Sequence, residues 1–249
     1  MKSLEELNAI VLHRVVNHSP IDFTDIRLET LKFILSKSSY NFVSIDEAFQ
    51  NHFQDGSSIC LTFDDGFSSD YDLVLPELKR INSKATFFIV TDFLDTPRYL
   101  TTMQVKILSE NGMQIGSHSK SHPNFLSLTS SERINELHTS KVILEEIIGK
   151  EVTAFSFPFG CYDEKCAEAV FSSGYNICCT SQHGISLRSN AMMPRNSINA
   201  KTSFKRIEKI LDPTIGQRLC WYIEDIVKAI LKRWFPKLYL VLRNLFSSA

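Results

Sequence analysis

Short apolar runs alternate along this chain with longer segments in which apolar residues recur at helical spacing. Runs rich in β-branched and aromatic residues predict buried strands. These runs lie at 9–13, 58–63, 85–90, 113–118, 153–157 and 175–180, and the segment 41–49 predicts a short strand that runs into a turn and a helix. Segments with a period near 3.6 residues predict helices between them. These segments lie at 23–38, 71–81, 102–112, 130–148, 164–174 and 202–211.

The helix at 130–148 carries the clearest terminal signals. Thr129 followed by Glu132 fits a capping box, and Gly149 stands at the expected C-terminal end. Strands that alternate with helices over some 200 residues predict a parallel α/β fold, either a barrel or a doubly wound sheet. In both architectures the functional residues gather at the carboxyl ends of the strands.

Polar residues follow several predicted strands at that edge. His13, the pair Asp64 and Asp65, and His118 each end or follow an apolar run. Adjacent carboxylates repel, so a pair placed at the end of a buried strand needs a compensating partner. A cation bound by Asp65 would provide it, while Asp64 would stay ionised as a base.

His118 and His122 have the spacing H-x3-H directly after a predicted strand. Two imidazoles and one carboxylate form the three-ligand set of a catalytic zinc site. The sequence therefore predicts a divalent metal bound by Asp65, His118 and His122, zinc first, with cobalt, nickel, manganese or iron as alternatives. An exposed turn that merely ends a strand is the competing interpretation of the acidic pair.

Composition excludes some function classes. The chain has 249 residues, 43% hydrophobic and 22% charged, which is ordinary for a globular protein. A net charge of −1 predicts no nucleic-acid partner. The first residues include Glu5, Glu6 and Asn8 where an export signal would be apolar, which predicts a cytoplasmic protein with reduced cysteines.

Three ordered motifs resemble those of the polysaccharide deacetylase family. They are T-F-D-D-G at 62–66, H-S-K-S-H at 118–122 and F-P-F-G at 157–160. The resemblance extends over roughly residues 9–211 and implies a distorted (β/α) barrel that removes acetyl groups from amino sugars with the help of a metal. By matching positions it implies Asp64 as the catalytic base and Asp65, His118 and His122 as metal ligands. It also implies that the backbone N–H of Phe159 binds the oxyanion.

The chain departs from the common family pattern at two positions. Ser156 stands where many members have an arginine that orients the base, and no histidine follows residue 183 to act as the acid. The segment V-L-H-R-V at 11–15 resembles the Y-H-R-V opening of a branch related to poly-N-acetylglucosamine deacetylases, which implies His13 as the acid. In that branch an arginine after a proline is common, so Arg195, after Pro194, is a candidate to orient the base or bind substrate; an unpaired surface arginine is the alternative.

The C-terminal segment lies outside the resemblance. The sequence predicts a catalytic domain at 1–211 and an amphipathic helical extension at 212–249, with apolar residues at helical spacing and basic residues beside them. Such a segment, at 216–246, fits a peripheral contact with the inner face of a membrane. It fits packing against the barrel or a second subunit equally well.

These observations predict a metal-dependent hydrolase that removes N-acetyl groups from an amino sugar of a polysaccharide, glycolipid or sugar-nucleotide precursor. One alternative is the hydrolysis of another amide or ester on the same scaffold. Another is a carbohydrate-binding protein without catalytic activity. A purely structural zinc site would need four protein ligands, and the pattern provides three.

Overall fold

The computed structural model describes residues 6–50 and 58–234. Its strands are β1 Glu6–Leu12, β2 Val15–Val16, β3 Ile26–Arg27, β4 Asn41–Val43, β5 Ser58–Phe63, β6 Thr86–Ile89, β7 Gln114–Ser117, β8 Ala154–Ser156, β9 Ile177–Cys179, β10 Ile185–Leu187, β11 Met192–Met193 and β12 Asn196–Ser197. Its α-helices are α1 Leu28–Leu35, α2 Ile45–Gln50, α3 Leu75–Arg80, α4 Thr102–Glu110, α5 Ser130–Ile148, α6 Glu164–Ser172, α7 Phe204–Leu211 and α8 Ile215–Trp234.

The main sheet is a curved, nearly closed barrel in which parallel pairing dominates. Its strands follow the order β10-β1-β5-β6-β7-β8-β9-β11, and only the pairing of β10 with β1 is antiparallel. The gap between β9 and β1 is bridged by one short segment, 192–197. Its first residues pair with β9 as β11, and its last pair with β1 as β12. The barrel expected from the motifs is confirmed.

The strands are buried on both faces, because helices cover the outside and side chains fill the inside. β5 is buried at every position, and its Phe63 stacks on Phe87 of β6 with ring centroids 5.1 Å apart. Near-continuous apolar runs of this kind are typical of parallel strands. The apolar runs therefore located the central strands correctly, to within one to three residues at their ends.

The predicted capping of α5 is confirmed. The Thr129 hydroxyl accepts a hydrogen bond from the Glu132 N–H, the Glu132 carboxylate accepts one from the Thr129 N–H, and Gly149 ends the helix with φ of 66°. Two helices differ from the expectation. α1 begins only at Leu28, because Ile26 and Arg27 pair with β2 as a small second sheet. The segment predicted as one helix at 71–81 begins as a π-helix, Asp70–Val74, before α3.

The C-terminal helix α8 packs on the barrel through Trp221, which is 2% exposed. The division into 1–211 and 212–249 stays a prediction, and residues 235–249 of the predicted extension lie outside the described part of the chain. Within the described ranges, no helix has both the length and the apolar character needed to cross a bilayer.

Candidate active site

The Asp64–Asp65 pair lies at the carboxyl end of β5, where the chain turns sharply. The Asp64 N–H donates to the Leu12 carbonyl at 3.0 Å and so continues the pairing of β5 with β1. Asp65 and Gly66 then take left-handed conformations, with φ of 78° and 74°. Such values are uncommon for a residue other than glycine, and they cluster at functional sites. The turn gives the two carboxylates different partners.

Asp64 is buried, 4% exposed, and forms a bidentate ion pair with Arg195, which is fully buried. Arg195 Nη1 lies 2.6 Å from Asp64 Oδ1, and Nη2 lies 2.7 Å from Oδ2. Parallel bonds of this kind fix the plane of the carboxylate as well as its charge. Arg195 is therefore not a surface residue, and its guanidinium holds Asp64 in one orientation.

The same contacts keep Asp64 ionised. Burial raises the pKa of a carboxyl group, but the charges of Arg195 and His118 and the hydrogen bonds from Arg195 outweigh it. The pKa of Asp64 therefore lies well below its ordinary value. The hydroxyl of Ser156 donates to Asp64 Oδ2 at 3.2 Å and accepts from Arg195 Nη2 at 2.7 Å. Ser156, where many family members have an arginine, thus touches the arginine that this chain supplies from elsewhere.

Arg195 reaches Asp64 because of the segment that closes the barrel. It lies between β11 and β12, and its N–H donates to the Gln182 carbonyl at 3.0 Å. Its side chain also donates from Nε to the Thr180 carbonyl at 3.3 Å and from Nη1 to the Thr62 hydroxyl at 3.0 Å. Every hydrogen-bonding nitrogen of the guanidinium thus has an acceptor, as a buried cation requires.

Asp65, His118 and His122 form a compact group of potential ligands. Their ligand atoms lie within 4.8 Å of one another. Asp65 Oδ1 is 3.5 Å from His118 Nε2 and 3.4 Å from His122 Nε2. Among the described residues this is the cluster of histidine, cysteine and acidic side chains able to hold a metal ion.

The protonation of both histidines suits them to metal binding. His118 Nδ1 lies 2.8 Å from the Ser156 carbonyl, which can only accept, so Nδ1 carries a proton and Nε2 is the nitrogen directed toward Asp65. Burial and the charge of His118 lower the pKa of His122 to about 4, so His122 is neutral at neutral pH. Two imidazoles whose Nε2 atoms lie near one carboxylate are a donor set that fits a divalent cation such as zinc.

Hydrogen bonds to α5 hold the loop 118–122, which carries the two histidines. Glu136 of α5 accepts hydrogen bonds from the Ser121 N–H at 2.8 Å and the Ser121 hydroxyl at 2.7 Å. The Ser119 hydroxyl accepts from the His122 N–H at 3.0 Å, and Ser119 and His122 both have positive φ. This bonding turns the chain so that both imidazoles converge. No sequence signal had singled out Glu136, since its partner is fifteen residues away.

We expect His118→Ala and His122→Ala to lose most of their affinity for zinc. Loss of an outer hydrogen-bond partner costs roughly 10- to 100-fold in metal affinity, and loss of a ligand should cost more. Calorimetric titration of the metal-free protein with zinc would measure this. His138→Ala is the matched control, because His138 is exposed on α5. Unchanged affinity in both ligand variants would disprove this metal site.

His13 and Phe159 lie at the same edge of the barrel. His13 directly follows β1, lies near enough to Asp64 and His122 to influence the pKa of each, and has a buried Nδ1 without a hydrogen-bond partner among the described residues. Phe159 has φ of 58°, and its ring meets that of His122 edge-on at 4.6 Å between centroids. Gly160 and Cys161 donate the hydrogen bonds that close this turn. Both predicted residues thus lie beside the cluster.

A further acid, Asp70, carries no sequence signal. It is fully buried, and neither carboxyl oxygen has a hydrogen-bond partner among the described residues. Burial, and then the charges of Asp65 and Asp64, raise the pKa of Asp70 well above its ordinary value. The raised pKa favours the neutral acid, which adds no third negative charge beside the pair.

Comparison with known proteins places this site in context. YxkH of Bacillus subtilis (strain 168) is 30% identical over 134 residues, which are 54% of this chain and 48% of that protein. The peptidoglycan-N-acetylglucosamine deacetylase PgdA of Listeria monocytogenes is 37% identical over 115 residues, which are 45% of this chain and 23% of PgdA. The chain thus spans about half or less of the length of these curated relatives.

Solved structures share the fold. The deacetylase PplD of Streptococcus pyogenes, in complex with acetate, superposes with a TM-score of 0.76 at 22% identity, covering 84% of this chain and 99% of PplD. IcaB from Ammonifex degensii gives a TM-score of 0.74 at 20% identity, covering 83% of this chain and 97% of IcaB.

The sequence model of the polysaccharide deacetylase family matches residues 53–178, just over half of the chain. That range contains all three motifs from which the resemblance was inferred, and with them Asp64, Asp65, His118, His122 and Phe159. His13 and Arg195 lie outside it. The chain belongs to the polysaccharide deacetylase family.

Proposed function

We propose that this protein is a metal-dependent hydrolase that removes N-acetyl groups from an amino sugar of a polysaccharide, glycolipid or sugar-nucleotide precursor. The observation that carries the proposal is that a candidate base and a candidate metal site lie side by side at one edge of the barrel. A carboxylate held by a buried arginine lies beside a second carboxylate that is grouped with two imidazoles.

The group Asp65, His118 and His122 would hold the metal ion, and we propose zinc from the two nitrogen ligands and one oxygen ligand. A bound divalent ion supplies Lewis-acid chemistry, which acidifies water and polarises an acyl carbonyl. Asp64 is not needed as a ligand, because its oxygens are directed to Arg195 and Ser156. It is therefore available to take a proton from the attacking water.

Two further residues complete the proposed reaction. As water adds to the acetyl carbon, negative charge develops on the acyl oxygen, and the Phe159 N–H donates a hydrogen bond to it. The C–N bond then breaks, and His13 gives its proton to the leaving amine. The products are acetate and the free amino sugar. The position of His13 after β1, beside Asp64 and His122, supports this role.

The relatives support the substrate class. PgdA is named for peptidoglycan N-acetylglucosamine, and PdaC of Bacillus subtilis (strain 168) for peptidoglycan N-acetylmuramic acid. Both names describe an N-acetylated amino sugar within a glycan. We propose an N-acetylated amino sugar as the substrate of the present chain, and we do not propose peptidoglycan itself.

We also propose that the protein works in the cytoplasm. All six cysteines are free thiols, and four of them are buried, namely Cys60, Cys166, Cys178 and Cys179. Burial raises the pKa of each of these four thiols above its ordinary value, so they stay protonated and unreactive at neutral pH.

The experiment that tests the proposed function is acetate release from a panel of N-acetylated sugars. The panel would contain free, nucleotide-linked, lipid-linked and oligomeric substrates, incubated with metal-free and zinc-loaded protein. We expect release from at least one of them, and only with metal. Hydrolysis of other amides or esters, with no acetate from any sugar, would favour a different acyl substrate. No turnover of any compound with verified metal would reject the enzyme.

A substitution at His13 should impair protonation of the leaving group and leave the proton transfer to Asp64 intact. We expect His13→Gln to slow acetate release from the sugar by roughly 100-fold or more, the usual effect of losing a general acid. An activated ester such as 4-nitrophenyl acetate should react at the wild-type rate, because its phenolate leaves without protonation. Steady-state rates on the two substrates measure this difference. Equal losses on both would show that His13 does not act as the proton donor.

A further inference from the structure

The helix α8 has two different faces. One contacts the barrel: Trp221 is buried, Arg218 pairs with Glu6 at 2.8 Å, and Asp225 accepts from the His183 N–H at 2.8 Å. These three residues recur at helical spacing, which is why they share one face. This contact therefore covers Trp221 and two charged residues, and it leaves the apolar residues at 219, 222, 223, 226 and 227 exposed.

Between residues 215 and 227 the opposite face is exposed and contains no charged residue. Between residues 215 and 227 every exposed position of α8 is apolar or small. These positions are Ile215, Gly216, Leu219, Cys220, Tyr222, Ile223, Ile226 and Val227. The exposed fractions of Tyr222 and Ile223 are 65% and 52%. A contiguous apolar patch of this kind marks a binding surface.

The helix runs toward the candidate active site. Arg218 pairs with Glu6, the first residue of β1, whereas Asp225 bonds to His183, which follows the end of β9. α8 therefore rises from the amino edge of the barrel to the carboxyl edge. The nine residues from Asp225 to Trp234 continue it by about 14 Å in that direction.

The carboxyl edge itself displays large apolar side chains from four separate loops. Ile21, Met103, Leu126 and Phe159 are 78%, 64%, 48% and 55% exposed. Ile21 follows β1 and β2, Met103 follows β6, Leu126 follows β7, and Phe159 follows β8. Exposed apolar groups thus surround the site where substrate must enter.

The chain that follows the exposed face is basic. Residues 228–249 contain five lysines and arginines, namely Lys228, Lys232, Arg233, Lys237 and Arg243, and no aspartate or glutamate. Apolar residues combined with basic ones are what an anionic lipid surface attracts. A protein partner would not require this one-sided charge.

We propose that the carboxyl edge of the barrel and the exposed face of α8 dock on an anionic lipid surface. The opening of the candidate active site then faces the lipid headgroups. An N-acetylated sugar attached to a lipid carrier would reach the site from that surface. This substrate class rests on the proposed function, whereas the docking does not.

Flotation of the full chain with vesicles tests the docking. We expect binding to phosphatidylcholine vesicles that contain phosphatidylglycerol, and weak binding to phosphatidylcholine alone. Ile223→Glu with Val227→Glu should weaken binding by about tenfold or more, since it removes apolar contact and adds repulsion. The matched control is Phe171→Glu with Leu187→Glu, two exposed residues at the amino edge, and should bind like wild type.

Orientation needs a second measurement. In a Cys161→Ser and Cys220→Ser background, an environment-sensitive fluorophore would be placed at Met103→Cys or at Leu187→Cys. We expect a blue shift on anionic vesicles at position 103 and none at 187. Failure of the wild type to float, or a shift at 187 alone, would overturn the proposal. The proposal would also be overturned if the α8 substitutions converted a dimer to a monomer and left vesicle binding unchanged. The exposed face of α8 would then be the contact with a second copy of the chain.

Acetate release from a water-soluble sugar separates the two proposals. The α8 variant should keep the wild-type rate on that substrate and lose rate only on a lipid-linked one. A wild-type protein that floats with vesicles but releases no acetate would reject the proposed function and leave the docking in place.

Discussion

Asp64→Asn should reduce acetate release by about 1,000-fold while the protein still binds zinc. The amide has the shape of the carboxylate but cannot take a proton from water. The metal ligands Asp65, His118 and His122 are untouched, so metal content should stay at the wild-type level. Rates on the preferred sugar, together with metal analysis of the same sample, measure both effects.

The same substitution should destabilise the protein, since Arg195 is left as a buried charge without its carboxylate. Breaking a buried pair costs about 3–5 kcal/mol. Because the pKa of Asp64 is lowered in the folded state, its contribution to stability is present above the unfolded pKa of about 3.9 and is lost as the pH falls. Urea unfolding at pH 7 should therefore show a larger difference from wild type than unfolding at acid pH.

Asp72→Asn is the control for both measurements. Asp72 is an exposed carboxylate eight residues further along the chain, and its loss should change neither rate nor stability. Near-wild-type acetate release by Asp64→Asn would remove Asp64 from the role of base.

Arg195→Met should have the second largest effect. It removes the cation that offsets the burial of Asp64, so the pKa of Asp64 should rise. The acid limb of the pH–rate profile should then move to higher pH, and the rate at neutral pH should fall. The variant should also lose about 3–5 kcal/mol of stability. The pH dependence of kcat/KM and urea unfolding measure these two consequences.

Matched variants separate charge from geometry. Arg195→Lys keeps the charge but loses the two parallel hydrogen bonds, so it should lie between Arg195→Met and wild type. Arg206→Met, an exposed arginine on α7, should behave like wild type. An unshifted acid limb in a folded Arg195→Met variant would show that Arg195 does not control Asp64.

Ser156 offers a test of whether an arginine at position 156 can replace Arg195. Its hydroxyl touches both Asp64 and Arg195, so a longer side chain at 156 can reach the same carboxylate. Ser156→Arg combined with Arg195→Ser should recover part of the activity lost in Arg195→Ser alone. Recovery would show that the guanidinium can be supplied from either position, and no recovery in a folded double variant would show that it cannot.

The sequence by itself determined the alternation of strands and helices and the edge at which function gathers. Apolar runs and the Thr129 cap are local signals, since burial periodicity and capping depend on residues close together in the chain. The D-D-G and H-x3-H motifs are local too, which is why they pointed to one metal site with Asp64 beside it. Local signals of this kind do not need the tertiary structure.

Tertiary structure alone decided between the two interpretations of Arg195, a partner of Asp64 or a surface residue, and fixed the position of α8. Arg195 lies 131 residues from Asp64, and only the segment that closes the barrel between β9 and β1 brings them together. The pattern of α8 fits barrel and membrane equally, and only the contacts of Trp221 and Asp225 show which face is covered. Contacts between residues distant in sequence depend on chain closure and packing, which no local pattern encodes.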